Sequence, residues 1–400
     1  MLGLATDLLA RLAAAGLRPA RHTAPLSDFG MVHRTRAPYD EVSPASVREL
    51  VELVRLAYDA NIPLRLRGCG HSLSGASVPR PGELLVRTER LVGYRFEEPG
   101  TITVEPGAAL WDVRDLCNAR GWRLPVLNNG SSGPTVGGFV AAGGLGPDSG
   151  EFGGFWSNTR SITVVTGTGE IRTLEATDED FRWFFGAMGV LGAVLEAKLV
   201  IVPNDPTVSA PYPMGEAGAV PKVNATSVPV YQWGNQADPL SYWVTLLVPT
   251  RVDPACVAPT YEAMVELDAL RRQHARALEY LPVFRYNMSY RGLVAPLVFP
   301  FAEDFAALFL WGKGNATSEE GRLAIAALES DFIRLVRERG YHRYHQTELV
   351  GDEMDFPAYY GPEIWGRLVE LKRRYDPRTV FNRGALPVGA PPASMAADSK

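Results

Sequence analysis

Arg67-Gly68-Cys69-Gly70-His71-Ser72 follows directly on a strand-like run, residues 62–67, and says more about the fold than any other segment. Two glycines that bracket one residue let the backbone turn sharply and direct several N–H groups at one anion. A diphosphate group suits that arrangement. A Rossmann site is disfavoured, because Leu73 occupies its third glycine position and no acidic partner follows at the expected distance. An ordinary tight turn remains the alternative.

The residues around this loop predict the fold class. Residues 43–59 carry apolar side chains at helical spacing, with Ser43 as the capping residue and Pro44 in the first turn. Short β-rich runs separated by turns then continue to about residue 202, with helical pieces between them. The helical spacing is irregular, which favours an α+β fold over a doubly wound sheet.

Two further glycine-rich tracts follow the first loop. One covers residues 130–138 and continues to residues 143–146, and the other covers residues 186–194. So many residues without a Cβ lower stability unless the backbone must pack closely against something flat or charged. A planar ring system with a phosphate chain would explain these tracts together.

Composition excludes several classes of protein. The 400 residues are 46% hydrophobic and 21% charged, with a formal net charge of −5. No window approaches the roughly 18 uncharged apolar residues needed to span a bilayer, so we expect no membrane partner. The arginines are interleaved with acids, which disfavours nucleic acid as a partner. Three cysteines are too few and too far apart for a disulfide framework or a thiolate metal site.

The N-terminal residues predict a packed amphipathic helix and a cytoplasmic protein. A secretory signal needs a basic region followed by an unbroken apolar run. Here no basic region comes first, and Asp7 and Arg11 interrupt the apolar run. A membrane-surface helix is the disfavoured alternative, because the polar face lacks basic residues.

The motifs taken together resemble the vanillyl-alcohol oxidase family, also called the PCMH-type FAD-binding oxidoreductases, near its cytokinin dehydrogenase and alditol oxidase branches. The segments that carry the resemblance are Asp28-Phe29-Gly30, Gly68 to Ser72, Pro134 to Gly138, Gly189 to Pro203, and Tyr375 to Asn382. Each motif alone is weak, but their order and spacing are specific, and they cover nearly the whole chain.

This resemblance implies a two-domain PCMH-type FAD-binding fold with an α+β substrate cap domain. We expect the FAD-binding domain in residues 1–204, since composition changes at Pro203-Asn204-Asp205-Pro206, and the cap in residues 205–369. Residues 370–386 should return to the FAD-binding domain. The small, proline-rich residues 387–400 predict a disordered tail.

Beyond the junction, the patterns predict a sheet covered by helices on one face. Predicted strands cover residues 242–248, 283–290 and 341–347, and predicted helices cover residues 259–278, 319–339 and 362–375.

The resemblance also implies which residues bind FAD. The loop around the diphosphate would be Arg67, Gly68, Cys69, Gly70, His71 and Ser72. The border of the isoalloxazine and phosphates would be Thr135, Gly137, Gly138, Gly143 and Gly144. Gly192 and Val194 would hold the adenosine end through main-chain groups, and Asn382 would reach the pyrimidine edge or else act only as a turn residue.

His71 stands where many relatives attach the flavin covalently. A neutral imidazole nitrogen can add to the electrophilic tautomer of the oxidised flavin at its 8α carbon, which raises the reduction potential of the flavin. We expect covalent FAD at His71. The alternative is a histidine that only donates a hydrogen bond to a phosphate or a carbonyl group.

Two positions depart from relatives. Ser132 and Gly133 stand where doubly linked relatives carry a second cysteine, so a second bond is not expected. Gly130 stands where cytokinin dehydrogenases place a catalytic aspartate. Cytokinin oxidation is therefore disfavoured.

The reaction implied is hydride transfer to flavin N5 while a base removes a proton from the substrate. The densest polar run in the second domain is residues 341–348. In a strand, successive side chains point to opposite faces, so His342 and Tyr344 would lie on one face and His345 on the other. These three residues and Tyr286 are the candidate catalytic residues. A solvated strand face or ordinary core packing is the alternative for each, and a His342–His345 metal pair is disfavoured because the two point to opposite faces.

We therefore expect an FAD-dependent oxidoreductase that oxidises an alcohol or amine carbon of a small-molecule substrate, in specialised metabolism. Electrons would pass to dioxygen or another electron acceptor, and the small Gly138 slightly favours an oxidase. Two alternatives remain: an enzyme of flavin-dependent oxidative cyclisation or desaturation, and a flavin-binding protein without catalysis.

Overall fold

The structure is a computed structural model, and it describes residues 6–30, 33–35, 38–97, 100–128, 134–204, 241–250, 257–274, 278–280, 284–314, 319–345 and 355–388. The helices are α1 Thr6–Ala14, α2 Val47–Asp59, α3 Leu110–Asn118, α4 Val136–Ala142, α5 Ser149–Phe152, α6 Val257–Gln273, α7 Glu319–Arg339 and α8 Phe356–Tyr375. Two short 3-10 helices cover Phe155–Asn158 and Phe181–Phe184.

The strands are β1 Ala20–His22, β2 Tyr39–Val42, β3 Leu64–Arg67, β4 Leu84–Arg87, β5 Tyr94–Phe96, β6 Thr101–Val104, β7 Trp122–Arg123, β8 Thr159–Val165, β9 Ile171–Glu175, β10 Ala193–Val200, β11 Val202–Pro203, β12 Ser241–Pro249, β13 Leu278–Tyr280, β14 Phe284–Met288, β15 Phe305–Gly314 and β16 His342–Arg343. This mixture of helices and largely antiparallel sheets confirms the α+β class.

Two sheets build the N-terminal half of the chain. The first has the order β1-β2-β4-β3, in which β2 and β3 both run parallel to β4. The second is antiparallel, with the order β5-β6-β10-β8-β9. The apolar face of α2 packs on the first sheet through residues such as Leu50, Leu53 and Val54, which are fully buried. The glycine loop therefore starts from the end of an anchored strand, β3.

Helix α2 begins later than the sequence analysis predicts. Its cap is Ser46, whose side chain accepts a hydrogen bond from the Glu49 N–H, while the Glu49 carboxylate accepts one from the Ala45 N–H. Ser46 and Glu49 form the S-x-x-E pattern of a capping box, with the Glu49 carboxylate accepting from the N–H one residue before the cap, so that two N–H groups are satisfied at once. The assignment of Ser43 as the cap is wrong, because Ser43 has no glutamate three residues later to complete the box.

A third sheet, β13-β15-β12-β16 with β14 also paired to β15, lies in the C-terminal half of the chain. Helices α6 and α7 cover one of its faces, burying residues such as Leu267, Leu308 and Phe332. Within the described residues 341–345 of the predicted strand 341–347, His342 and Arg343 join this sheet as β16, and the Tyr344 N–H also donates to the Thr245 carbonyl group of β12 at 3.2 Å. Residues 346–347 lie outside the described residues, as do residues 205–240 at the predicted junction and residues 389–400 of the predicted tail.

The C-terminal segment returns to the first sheet. Leu64 and Phe381 form a parallel bridge, and the Leu64 N–H donates to the Val380 carbonyl group at 2.7 Å. Buried Asp376 stabilises this return. Its carboxylate accepts hydrogen bonds from the Val380 and Phe381 N–H groups, and it forms an ion pair with Lys372 Nζ at 2.7 Å. The Tyr375-to-Asn382 motif thus joins the C-terminal end of the chain to the first sheet.

None of the helices that the structure describes combines the length and the apolar run needed to cross a bilayer.

Replacing Asp376 with alanine should strongly destabilise the protein. Lys372 would remain buried without its counter-ion and two buried N–H groups would lose their acceptor, so the free energy of unfolding should fall by about 3–5 kcal/mol. Chemical denaturation measures this quantity. Arg374→Ala is the matched control: Arg374 also pairs with carboxylates, but its side chain is 42% exposed, and surface pairs are worth about 1 kcal/mol or less. Equal losses for the two variants would contradict the role of Asp376.

Candidate functional site

The glycine loop turns away from the end of β3, and the side chain of Arg67 supports this turn. Gly70 has φ +76°, and a Cβ there would collide with the Arg67 guanidinium group. That guanidinium donates hydrogen bonds to the Ser27 carbonyl group at 2.9 Å and to Ser77 at 3.3 Å. Arg67 therefore braces the loop from behind. Its predicted place in the diphosphate cradle remains a prediction, because the described contacts of its side chain are with the protein.

Thr135 joins the loop to the second glycine tract. Its hydroxyl group caps α4 by accepting a hydrogen bond from the Gly138 N–H at 3.3 Å. The same side chain lies so close to Gly68 that a Cβ at Gly68 would collide with the Thr135 hydroxyl group. Gly68 is therefore required by a close approach of two chain segments, and this approach brings the start of α4 against the loop.

A pocket lies between the loop and α4. Its walls are formed by Leu66, Gly68, Cys69, Gly70, His71, Ser72, Ala76, Ser77, Pro134, Thr135, Gly138, Phe139, Ala141, Ala142, Met188 and Asn382. The loop, α4, the turn before β10 and the C-terminal segment each contribute, although these segments are far apart in sequence. Of the residues predicted to bind the cofactor, Gly68 to Ser72, Thr135, Gly138 and Asn382 are brought together here.

His71 is held neutral in the pocket wall. Its imidazole ring lies against the ring of Phe29, with centroids 4.6 Å apart and a tilt of 30° between the planes. Burial lowers the pKa of His71 to about 4, because the charged form is poorly solvated there. The ring is therefore neutral at physiological pH and can act as a nucleophile or a hydrogen-bond partner.

Asn382 lines the pocket, but its side chain binds the protein. Its amide oxygen accepts a hydrogen bond from the Leu66 N–H, and its amide nitrogen donates one to the Met188 carbonyl group, each at 2.8 Å. Asn382 and Met188 have positive φ angles, 44° and 53°. Asn382 thus fastens the end of β3 to the turn before β10. Its contact with a pyrimidine edge remains a prediction.

Several predicted glycines pack against the protein itself. A Cβ at Gly137 would lie 2.8 Å from the Pro106 Cβ, while one at Gly143 would collide with Val298 and one at Gly144 with Phe139. Contacts within the protein are therefore enough to explain why these three positions are glycines, and no ligand is needed to explain them. In contrast, a Cβ at Gly138 would meet only the Thr135 hydroxyl oxygen, at 3.1 Å. Gly138 is thus the residue of this tract whose open side belongs to the pocket.

Gly192 directly precedes β10 and Val194 lies within it, and neither is among the residues that line the pocket. A Cβ at Gly192 would lie 2.8 Å from the Val165 carbonyl oxygen, and Val194 pairs with Val164 in the sheet. Close strand packing accounts for both residues. Their predicted contact with the adenosine end remains a prediction.

The four candidate catalytic residues lie elsewhere. His342 is half-buried, next to the rings of Phe299, Phe301 and Tyr359, while Tyr344 and His345 are buried. None of the three lines the pocket that the structure describes between the loop and α4. Tyr286 is placed in β14 opposite Ala307, but its side chain lies outside the described part of the structure.

A hydrogen bond that the sequence analysis missed joins His345 to Tyr360. The His345 Nε2 and the Tyr360 hydroxyl oxygen are 2.6 Å apart, and that hydroxyl group donates to the Leu297 carbonyl group at 3.2 Å. Burial lowers the pKa of His345 well below its usual value and raises that of Tyr360 well above its usual value. Both side chains are therefore neutral, and burial makes His345 a poor acceptor for a net proton. Its catalytic role remains a prediction.

Comparison with known proteins assigns two segments of the chain. Residues 41–175 match the family model of an FAD binding domain. Residues 351–384 match a model described as berberine and berberine-like. The first segment includes the glycine loop and Thr135, and the second includes Asp376 and Asn382. Both matched segments therefore contribute residues to the pocket.

Several oxidoreductases match up to half of the chain. The chain is 31% identical over 175 residues to an uncharacterised oxidoreductase, ORF5, in the fasciation locus of Rhodococcoides fascians, covering 43% of this chain and 39% of the relative. Cytokinin dehydrogenase 7 of Oryza sativa subsp. japonica is 31% identical over 218 residues (50% and 40%), and D-arabinono-1,4-lactone oxidase of Saccharomyces cerevisiae is 31% identical over 169 residues (40% and 31%). The chain thus spans about two fifths or less of the length of each.

Replacing Gly68 with alanine should open the contact between the loop and α4. The new methyl group must displace Thr135, so we expect a loss of about 1–3 kcal/mol in the free energy of unfolding. Thermal and chemical denaturation would measure it. Gly366→Ala is the control, because Gly366 lies within α8 and a Cβ there meets nothing within 4 Å; this change should be neutral or stabilising by up to about 1 kcal/mol. A fully stable Gly68→Ala protein would show that the close approach is not required.

Proposed function

We propose that the chain, of which residues 41–175 match an FAD binding domain, is an FAD-dependent oxidoreductase that binds FAD in the pocket between the glycine loop and α4. The observation that carries this proposal is the pocket itself, whose lining includes one open glycine, Gly138, and one neutral histidine, His71. The rest of the lining combines loop residues with apolar side chains such as Ala141, Phe139 and Met188.

The residues present fit this cofactor. The turn at Gly70 presents main chain to the pocket, which suits a diphosphate group. Ala141, Ala142 and Met188 offer an apolar wall, which suits a flat ring system. Loop residues 68–72, Thr135, Gly138 and Asn382 would hold FAD, which supplies a two-electron acceptor at this position when bound.

The chain itself performs three tasks in this proposal. Arg67 and Thr135 hold the loop in one conformation, so the site is formed before the cofactor binds. Asn382 closes the pocket from the C-terminal segment. His71 presents a neutral imidazole nitrogen that can form a covalent bond to the 8α carbon of the flavin, because its burial disfavours protonation.

The substrate proposed is a small molecule with an oxidisable alcohol or amine carbon, and the electron acceptor is dioxygen or another oxidant. The relatives named above include a dehydrogenase and an oxidase, which supports this general reaction class. Cytokinins are not proposed as substrates, since Gly130 replaces the aspartate expected there. Among the candidate catalytic residues, His345 has the best-defined partner, Tyr360.

Acid precipitation tests cofactor attachment. The purified protein should show the visible absorption of oxidised flavin, and the yellow colour should remain in the pellet after acid treatment. His71→Ala should bind FAD but release all of it into the acid supernatant, because the attacking nitrogen is absent. A colourless wild-type protein that does not take up added FAD would contradict the proposed function. Colour that remains in the His71→Ala pellet would contradict attachment at His71.

Anaerobic mixing with primary and secondary alcohols and with amines tests the reaction class. A substrate should bleach the flavin absorption, and air should restore it if dioxygen is the acceptor. Flavin that is bound but that no member of either class reduces would contradict the proposed substrate classes.

A further inference from the structure

Phe29 packs on His71 although it is 42 positions earlier in the chain. The two rings have centroids 4.6 Å apart and planes tilted by 30°, and the Phe29 N–H donates to the Ser72 carbonyl group at 3.0 Å. One residue thus contacts both the imidazole ring and the backbone that follows it. The ring of Phe29 is only half-buried, so filling the core does not account for its position.

Phe29 belongs to a short segment, residues 27–30 and 33–35, which we name the N-terminal clamp. A bridge between Ser27 and Arg34 and a hydrogen bond from the Asp28 N–H to the His33 carbonyl group hold the clamp together. The clamp contacts the glycine loop at three points along its length. The Arg67 guanidinium donates a hydrogen bond to the Ser27 carbonyl group, and the Gly75 N–H donates one to the Asp28 carboxylate at 3.1 Å. Between them, Phe29 contacts the His71 ring and donates a hydrogen bond from its N–H to the Ser72 carbonyl group.

The loop needs such support at its centre. Gly70 and Gly75 both have positive φ angles, 76° and 67°, and glycine does not by itself restrict the backbone to one conformation. Arg67 braces the start of the loop and Asp28 its end. His71 lies between them, and the ring of Phe29, with its centroid 4.6 Å from that of the imidazole, occupies space that the imidazole would need in order to rotate about its Cβ–Cγ bond.

We propose that Phe29 is a positioning residue that holds the imidazole plane of His71 in the orientation needed for covalent attachment of the flavin. This inference rests on the proposed function, since it needs FAD in the neighbouring pocket. It adds a specific role for the N-terminal clamp in the attachment of the cofactor.

Phe29 would favour the step that joins His71 to the flavin. A bond would form between an imidazole nitrogen of His71 and the 8α carbon, a C–H bond of the 8α methyl group would break, and the proton of that C–H bond, its two electrons and the imidazole N–H proton would pass to the ring system. Two electrons and two protons remain on the ring system, from which dioxygen removes them as hydrogen peroxide. The rate of this step depends on the angle between the imidazole and the 8α carbon, because reacting atoms must meet in line.

Two substitutions of Phe29 separate ring orientation from simple packing. Phe29→Leu keeps an apolar side chain but removes the ring plane, and Phe29→Tyr keeps the ring. Full-length protein freed of flavin by expression under riboflavin limitation would be mixed with FAD in air, and acid-stable flavin would be followed with time. The rate constant for Phe29→Leu should fall by about tenfold or more, and that for Phe29→Tyr should stay within about threefold of the wild-type value.

Affinity must be measured apart from attachment. In a His71→Ala background, where no bond forms, Phe29→Leu should change the dissociation constant of FAD by less than about threefold, because stacking on residue 71 is already lost. Phe96→Leu is the matched control for the loss of a half-buried phenylalanine: Phe96 packs under the Arg120 guanidinium at 4.5 Å, at the edge of another sheet. Its attachment rate should equal that of the wild type.

The outcomes are distinguishable. If the wild-type protein binds FAD but forms no acid-stable flavin, the covalent part of the proposed function fails and this inference fails with it. If the wild type attaches flavin and Phe29→Leu attaches it at the same rate, only the inference is overturned. Equal slowing in Phe29→Leu and Phe29→Tyr would also overturn it, because the ring would then not be the determining feature.

Discussion

The close approach of Gly68 to Thr135 is the constraint on which the site depends. No side chain at residue 68 fits beside the Thr135 hydroxyl group, and the same hydroxyl group caps α4. One contact therefore fixes the end of β3, the glycine loop and the start of α4 relative to one another. The pocket is the space that remains between them, and its shape follows from this contact more than from the residues that face it.

The C-terminal segment completes this arrangement by binding to β3. Buried Asp376 directs the chain back onto β3 by accepting hydrogen bonds from two consecutive N–H groups, and Lys372 compensates its charge. Asn382 then fastens β3 to the turn at Met188. A buried charge is tolerated here because every partner is in place. The pocket consequently depends on residues more than 300 positions apart in the chain.

Local patterns in the sequence were sufficient to predict the fold class, several elements and the glycine turn. The glycine turn after a strand, the α+β class and the helix at residues 319–339 follow from spacing, which reports local geometry directly. The cap of α2 could also have been found, since the Ser46-to-Glu49 capping box is visible in the sequence. The glycines were harder to interpret, because a missing Cβ has the same appearance whether a ligand or another segment of the protein takes its place.

The remaining features depend on contacts distant in sequence. Phe29 on His71, Thr135 on Gly68 and Tyr360 on His345 each join residues that no spacing rule connects. Within the described residues, the predicted strand at residues 341–347 pairs with β12 at His342 and Arg343 and through the Tyr344 N–H, and the next residue, His345, hydrogen-bonds to Tyr360, which no local pattern shows.

The central claim is that FAD occupies the pocket beside Gly138, and filling that pocket tests it most directly. Gly138→Leu places a side chain where a Cβ meets only the Thr135 hydroxyl oxygen, so the fold should persist while the pocket closes. Gly366→Leu, outside the pocket, is the control. We predict that flavin content per chain, measured by absorbance, is lost in Gly138→Leu and kept in Gly366→Leu, with circular dichroism unchanged in both. Full flavin content in Gly138→Leu would contradict the account.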